Sequence, residues 1–268
     1  MELFTALLQD IEHTPHAIVF GVGDYIDWTR TTHRAPIRAI GATDDKFLEE
    51  LDAMVMRTLI EPFVWKVRRK CPSFARKCAG LVEGNHYHQF RNGTTSTQKI
   101  CELLGVQYLG LAAWVRIACA RSRSSNRTKL GTVHNLNIVL NHSVSCSGSL
   151  GPSLAQANKK AAAFRDVDVF LTGNDHQLGH EVIQQLGCTR RGEPRMLQTE
   201  VVIGKCGSMQ KGYEEGATSS SYVEKKLLRP SHLGYLAFDA WVHYSGNAAT
   251  NATRKNTPEV WRFGNFSA

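Results

Sequence analysis

Side chains that can bind a metal ion follow short apolar runs at four places along the chain. The four segments are Gly23-Asp24-Tyr25-Ile26-Asp27, Gly84-Asn85-His86, Asn141-His142 and Gly173-Asn174-Asp175-His176. Carboxylate, amide and imidazole groups together form the mixed oxygen and nitrogen set that suits divalent cations. These residue types therefore predict metal chemistry at the ends of the apolar runs.

The apolar runs before these segments have the character of buried strands, over 17–20, 80–82, 137–140 and 167–171. Loops at the carboxyl ends of strands converge on one crevice in many sheet proteins. Glycines at positions 21 and 23 let the backbone turn tightly beside a ligand. We therefore expect the four segments to meet at one edge of a sheet.

Helical and strand patterns alternate in the first part of the chain, and short strands follow later. Helical spacing predicts helices over 2–12, 44–70, 94–104 and 154–164, with the second kinked or divided at Pro62. Strands over 106–120 and 131–140 are predicted to pair, a Gly/Ser loop covers 147–152, and shorter strands cover 201–203 and 235–238. The pattern indicates an α/β fold with mixed sheets, a main domain over 1–245 and a polar C-terminal tail over 246–268.

The composition is that of a basic globular protein of 268 residues, 42% hydrophobic and 21% charged. Lys and Arg exceed Asp and Glu by 32 − 24, a net charge of +8, and the pI is about 9.2. Positive charge favours polyanionic partners such as nucleic acid, and an ordinary basic surface explains it equally well. The densest basic segments are 66–77 and 121–129.

Cysteine usage and hydropathy favour a cytoplasmic protein. The seven cysteines are scattered and form no Cys-x-x-Cys pair, which favours reduced thiols over a disulfide frame or a zinc–thiolate site. The N-terminal segment lacks the pattern of a signal peptide. No apolar run approaches the roughly 20 residues of a membrane helix, so no membrane partner is expected.

The order and spelling of the motifs resemble the calcineurin-like metallophosphoesterases of phage and bacterial type, over about residues 1–240. That family carries Asp-x-His, Gly-Asp-x-x-Asp, Gly-Asn-His, a lone His and Gly-His-x-His in this order. The resemblance implies a four-layer α/β/β/α sandwich and hydrolysis of phosphomonoesters or phosphodiesters, including those of nucleic acid. It also implies divalent metal ions, with Mn favoured over Fe, Zn or Mg.

The resemblance assigns roles to individual residues of this chain. Asp24 matches the carboxylate that bridges two metals, and His176 matches a second ligand of the first metal. Asn85 and His142 match ligands of the second metal, for which Asn174 is a weak further candidate. The catalytic roles fall on His86, which protonates the leaving oxygen or stabilises the phosphoryl oxygens, on Asp27, which holds His86, and on Arg91, which contacts phosphate.

Two departures from the family pattern fall on the metal centre. No Asp-x-His precedes Gly23, so the first strand of the sandwich is expected to be missing, through N-terminal truncation or a sheet that closes differently. Asn174 stands where the family has a His. A second interpretation is therefore a degenerate, catalytically weak member that binds polyanions, and a third is an unrelated α/β binding domain.

Each candidate ligand also has a purely structural interpretation. Asp24 can cap the segment that follows it, Asn85 can be a turn residue, and His142 and His176 can be polar residues with ordinary hydrogen-bond partners. His88 and His180 match no family ligand and are predicted to lie at the surface.

Overall fold

The computed structural model describes residues 2–26, 28, 31–41, 44–122, 130–143, 150–188, 196–211, 213, 230–244 and 259–267. The fold is mixed α/β, which confirms the predicted class. The helices are α1 Glu2–His13, α2 Thr31–Gly41, α3 Asp45–Val55, α4 Glu61–Lys70, α5 Phe74–Lys77, α6 Ser96–Leu104 and α7 Leu150–Ala161. The strands are β1 Val19–Gly21, β2 Cys78–Leu81, β3 Ala112–Ser122, β4 Leu130–Ser143, β5 Val169–Gly173, β6 Gly179–Cys188, β7 Met196–Lys205, β8 Ala237–Tyr244 and β9 Glu259–Ser267.

The predicted helix over 44–70 is divided where Pro62 requires it. Asp44 caps α3, since its side chain accepts a hydrogen bond from the backbone N–H of Phe47. A π-helical turn, Met56–Ile60, joins α3 to α4, and Pro62 lies in the first turn of α4. Proline has no N–H to donate, and it is tolerated in a first turn. The π-helical turn therefore accommodates Pro62, and α4 follows α3 without a loop between them.

Helix α6 begins and ends at residues that the sequence marks. Thr95 and Gln98 form a capping box at its start, and Gly105 ends it in a left-handed conformation with φ of 70°. The box satisfies two backbone donors reciprocally, and glycine adopts a positive φ without steric cost. The helix predicted over 94–104 is therefore confirmed, with its first residue at Ser96.

Two sheets carry the segments that hold metal-binding residue types. Strands β1 and β2 pair in parallel. The larger sheet has the order β3-β4-β5-β7-β6, with parallel pairs β4–β5 and β5–β7 between antiparallel pairs β3–β4 and β6–β7. The predicted pairing of 106–120 with 131–140 is confirmed as β3 with β4, although β3 begins only at Ala112. Parallel pairing brings the carboxyl ends of β4 and β5 to the same edge.

The C-terminal segment differs from the polar tail that the sequence predicts over 246–268. Residues 259–267 form β9, which pairs antiparallel with β8. Phe263 is buried, and Trp261 donates from Nε1 to the backbone carbonyl of Asn135 at 2.9 Å. These apolar residues two positions apart occupy one face of a strand, and that face packs on the larger sheet.

Helix α7 begins earlier than predicted. The sequence predicts a loop over 147–152, but Leu150–Pro152 belong to the helix, while 147–149 lie outside the described residues. Pro152 falls in the first turn, where the helix needs no N–H from it. A proline in a Gly/Ser segment therefore marks the start of this helix.

Three groups of buried side chains hold the elements together. The first packs α1, α3, α4 and α6 against β1 and β2. The second lies between the two sheets and includes Val82 after β2, Leu140 of β4, Leu171 of β5 and Phe263 of β9. The third packs α7 against the opposite face of the larger sheet, through Ala157, Ala161, Phe170 and Ile203.

The described part of the chain shows the state of five cysteines and the length of each helix. Five cysteines there are free thiols, at positions 71, 78, 101, 119 and 206. Among the described helices, none is long and apolar enough to cross a membrane.

A carboxylate contact fixes the end of α1 and predicts a pH effect. Glu12 accepts hydrogen bonds from the Oγ and the backbone N–H of Ser73, at 2.6 and 2.9 Å. These bonds lower the pKa of Glu12 from its ordinary 4.5 to about 2. We expect Ser73→Ala to raise the pKa of Glu12, because the stronger of the two bonds is lost. An NMR titration of the Glu12 carboxyl carbon measures this change.

The sign of the linked stability effect follows from the lowered pKa. The contact stabilises the fold above pH 4.5 and is lost as the pH falls toward 2, where Glu12 becomes protonated in the folded state. As the pH falls from 4.5 to about 2, the free energy of unfolding of Ser73→Ala should therefore decrease less than that of the parent. Thr14→Ala is the control, because the Thr14 hydroxyl donates to Asp10 O at the same helix end. An unchanged Glu12 titration in Ser73→Ala would contradict the assignment.

Candidate metal centre

Three candidate ligands come together where the two sheets meet. Asp24 follows β1, Asn85 follows β2, and His142 lies at the end of β4. The backbone N–H of His86 donates to Oδ1 of Asp24 at 3.0 Å. His142 Nε2 lies 2.8 Å from Asn85 Oδ1 and 3.1 Å from Asp24 Oδ2. Residues far apart in sequence therefore share one small volume.

The hydrogen bonding of His142 makes this cluster a set of facing acceptors. Its Nδ1 lies 2.6 Å from the backbone carbonyl oxygen of Val22, which requires a proton on Nδ1. In the neutral ring Nε2 is then an acceptor, and it faces two further acceptors, the oxygens of Asn85 and Asp24. Such an arrangement is favourable when a cation lies among the three atoms, when the ring is protonated, or when the Asn85 amide turns its N–H₂ group toward Nε2. A backbone carbonyl on the far nitrogen is also the usual support of a metal-binding His.

The two separations from His142 Nε2 are compatible with a divalent cation. Neighbouring ligands in octahedral coordination with bonds of about 2.1 Å lie about 3.0 Å apart. The observed separations from His142 Nε2 are 2.8 and 3.1 Å. One carboxylate, one imidazole and one amide oxygen suit Mn, Mg, Fe or Zn. Within the described ranges no group of three or more His, Cys, Asp and Glu could hold a metal ion, and the set found here includes an amide.

Glycines in the motifs allow the loops to approach this closely. A Cβ placed on Gly84 would lie 2.1 Å from Oδ1 and 2.2 Å from N of Asp24. A Cβ on Gly23 would lie 2.3 Å from Nδ1 of His142. At both positions the absent side chain is therefore a condition for assembling the cluster.

Left-handed backbone conformations also concentrate here. Asp24, Asn174 and His176 have φ of 54°, 74° and 55°, and they are three of six such non-glycine residues in the described part of the chain. Asn, Asp and His tolerate this region better than most residues. Strained backbone persists only where the surroundings enforce it, and it is often found at ligand-binding sites.

The electrostatics of Asp24 favour a carboxylate. Burial opposes its ionisation, but the hydrogen bond and charge of His142 and the backbone N–H of His86 outweigh burial and hold the pKa of Asp24 below its usual value. The group is therefore charged at neutral pH and available to a cation.

His176 lies within electrostatic reach of this cluster. Desolvation lowers the pKa of its ring, while the charges of Asp24 and Asp175 oppose the shift and those of His86 and His142 add to it. Its Nδ1 lies 3.4 Å from Oγ of Ser231. A lowered pKa keeps an imidazole neutral, which is the form that binds a metal.

The predicted catalytic residues have different surroundings. His86 adjoins Asp24 through its backbone, and its charge affects both Asp24 and His176. Arg91 contacts α3. Its side-chain Nη1 donates to the backbone carbonyl of Asp45 at 3.4 Å, and its backbone N–H donates to Asp52 Oδ2 at 3.1 Å. Asp27 lies outside the described residues.

Two residues beside the cluster were missed or misplaced by the sequence prediction. The hydroxyl of Tyr25 donates to the backbone carbonyl of Val82 at 3.0 Å and accepts from the N–H of Gly23 at 3.2 Å, which ties the two motif loops together.

The prediction of a surface position is wrong for His88, which is buried with Nε2 2.6 Å from Asp52 Oδ1. Nothing in the sequence around His88 indicates that Asp52, 36 positions away, is its partner. His180 is exposed as predicted and stacks on a phenylalanine ring.

Several residues of the basic segment 66–77 make contacts within the protein. Lys77 Nζ donates to three carbonyl oxygens at the end of α1, at 2.5, 2.8 and 3.0 Å. Arg68 donates to a backbone carbonyl of α6. Lys66 and Arg69 each lie over an aromatic ring, 5.5 and 4.9 Å from its centroid. Arg68, Arg69 and Arg76 remain exposed, while 123–129 of the other basic segment lie outside the described residues.

Comparison with protein-family models, curated proteins and solved structures finds no match. The geometry of the cluster therefore carries the functional argument.

Proposed function

We propose that this protein is a metal-dependent phosphoesterase related to the calcineurin-like metallophosphoesterases. The observation that carries the proposal is the convergence of Asp24, Asn85 and His142 on one point. These are the three side chains that the family resemblance assigns to a single metal position. The oxygens of Asn85 and Asp24 lie 2.8 and 3.1 Å from Nε2 of His142, as a shared metal position would need.

The arrangement of the buried side chains supports the same family. One group joins helices to β1 and β2, one joins the two sheets, and one joins the larger sheet to α7. This order corresponds to the four-layer α/β/β/α sandwich that we propose for the chain.

The residues would divide the work of hydrolysis among them. Asp24, Asn85 and His142 would hold one divalent cation, which we propose to be Mn, and His176 with Asn174 would approach from the next loop. A cation bound there supplies Lewis acidity that activates water and neutralises phosphoryl charge. His86, whose backbone bonds to Asp24, would donate a proton to the leaving oxygen. The net charge of +8 makes a nucleic-acid phosphodiester the proposed substrate class.

A purely polyanion-binding function receives less support. In the basic segment 66–77, Lys77 bonds to carbonyl oxygens at the end of α1, whereas Arg68, Arg69 and Arg76 are exposed. The facing acceptors at Asp24 would have no role in that function.

The test is Mn²⁺ binding by calorimetry together with hydrolysis of bis(4-nitrophenyl) phosphate. We expect the parent to bind Mn²⁺ and to hydrolyse the diester. Asn85→Ala should weaken Mn²⁺ binding by about 10–100-fold, because it removes one neutral oxygen ligand. Asn158→Ala, on α7, is the control and should match the parent. The proposal fails if the parent shows no Mn²⁺-dependent hydrolysis, or if Asn85→Ala binds Mn²⁺ as tightly as the control.

A further inference from the structure

A buried polar cluster lies behind the loop that carries Asn174 and His176. It consists of Ser153 on α7, Asp175 in the loop after β5, and Lys205 at the end of β7. Lys205 Nζ contacts Oδ2 of Asp175 and Oγ of Ser153, and the Ser153 hydroxyl donates to the same Asp175 oxygen. All three side chains are buried, at 0% exposure for Lys205 and 2% for Asp175.

Buried charges of this kind are confined to one geometry. An ammonium and a carboxylate removed from water remain favourable only while each contacts the other and its further hydrogen-bond partners. Neither Lys205 nor Asp175 can move away without leaving an unpaired buried charge. The cluster therefore fixes α7, β7 and the loop after β5 relative to one another.

The fixed residue lies between two strained ones. Asn174 and His176, on either side of Asp175, have φ of 74° and 55°. Within the loop, Asp175 N–H donates to Gly173 O at 3.1 Å, and Gln177 N–H lies 3.4 Å from Asp175 Oδ1. A left-handed pair of this kind relaxes unless its surroundings hold it. Asp175 is the one residue of the three whose side chain is anchored by an ion pair on another element.

We propose that Lys205, Asp175 and Ser153 form a positioning device for the metal centre. The device holds the Asn174–His176 loop in its left-handed conformation and directs His176 toward Asp24. Lys205 and Asp175 would act through the loop that they hold, so they are positioning residues. The consequence for metal affinity rests on the proposed function, whereas the consequence for loop conformation does not.

Variants of the cluster separate positioning from simple stabilisation. Lys205→Met leaves a buried carboxylate without its partner, and we expect its Tm to fall by about 10 °C. The triple variant Lys205→Met, Asp175→Leu, Ser153→Ala removes all the polar groups together, and apolar replacement of a buried ion pair commonly restores stability. Its Tm should return to within about 3 °C of the parent. Only a positioning role predicts a defect that persists in the triple variant.

Hydrogen exchange of the His232 amide reports the loop conformation directly. His232 N–H donates to the backbone carbonyl of His176 at 3.0 Å, so its protection depends on where the loop holds that carbonyl. In metal-free protein, we expect this amide to exchange at least about tenfold faster in the triple variant than in the parent. The Val202 amide, which donates to Asp168 O at 2.9 Å in the same sheet, should keep its protection.

Glu200→Gln is the matched control, because it breaks the Arg262–Glu200 ion pair away from the loop. It should leave His232 exchange unchanged. Parent-like protection of His232 in a stable triple variant would overturn the proposal. The proposal would also be overturned if the triple variant did not regain its Tm and its Val202 amide exchanged as fast as its His232 amide. Mn²⁺ titration of the same proteins should show about 10–100-fold weaker binding in the triple variant. A parent that binds no Mn²⁺ would refute the proposed function, while the exchange result would still decide the role of the cluster.

Discussion

Asp24→Asn is expected to reduce Mn²⁺ affinity and diester hydrolysis by at least about 1,000-fold, because outer partners of metal ligands alone are commonly worth about 10–100-fold. The variant removes the negative charge nearest His142 Nε2. It also turns one of three facing acceptors into an N–H₂ donor, which pairs with the imidazole and closes the position to a cation. Calorimetric titration with Mn²⁺ and initial rates on bis(4-nitrophenyl) phosphate measure the two losses.

The fold should tolerate this change. Asn is isosteric with Asp, accepts the left-handed φ of 54°, and keeps an oxygen for the N–H of His86. The Tm should therefore stay within about 3 °C of the parent. Asp239→Asn, an exposed carboxylate on β8 that binds Asn265, is the control for loss of charge alone. If Asp24→Asn retained parental Mn²⁺ affinity, Asp24 would not be a ligand and the metal would have to bind elsewhere.

Gly84→Ala is expected to lower the free energy of unfolding by about 2–4 kcal/mol, an overpacking effect with no flexible neighbour to relieve it. The added Cβ would lie 2.2 Å from the backbone nitrogen of Asp24 and 2.1 Å from its Oδ1. Relief requires the two motif loops to separate, which also moves Asp24 away from His142. Urea unfolding measures the stability, and Mn²⁺ titration of the folded fraction measures the effect on the cluster.

Gly151→Ala is the matched control for the added methyl group. No atom lies within 4 Å of a Cβ at that position, and the residue is helical. The control should be unchanged or more stable by about 0.5–1 kcal/mol, since alanine favours helix over glycine. If the free energy of unfolding of Gly84→Ala lay within about 1 kcal/mol of the parent value, the two loops would have room that the structure does not indicate.

Local signals predicted the elements whose limits are set by nearby residues. Helix α6 could be anticipated because Thr95, Gln98 and Gly105 fix both of its ends. The break near Pro62 was predictable for the same reason, although the π turn that absorbs it was not. Strand β9 was missed because its segment is polar overall, and only the spacing of Trp261 and Phe263 indicates a strand.

Contacts between distant residues could not be predicted in the same way. His88 has the appearance of a surface residue until Asp52, 36 positions away, lies beside it. Lys205 likewise follows a strand as a solvated lysine would, yet it is buried against Asp175 and Ser153. A titratable side chain becomes a core residue only through its partner, and hydropathy patterns carry no information about that partner.

The convergence of Asp24, Asn85 and His142 could be anticipated because each lies at or just after the end of a strand. The strand order that joins them could not, since β4 contacts β5 and β3 while its His142 reaches across to the loop after β1. The resemblance indicates which residues to compare, and the structure shows that their side chains are in contact.

The long sequence separations within the cluster have a consequence for folding kinetics. His142 contacts Val22 across 120 positions and Asn85 across 57, while His86 bonds to Asp24 across 62. Closing loops of this size has an entropic cost that only the completed packing of both sheets offsets. The cluster should therefore assemble late, after β1, β2 and β4 have docked. A cation that binds it would bind only the native state, and would then slow unfolding and shift the folding equilibrium by mass action.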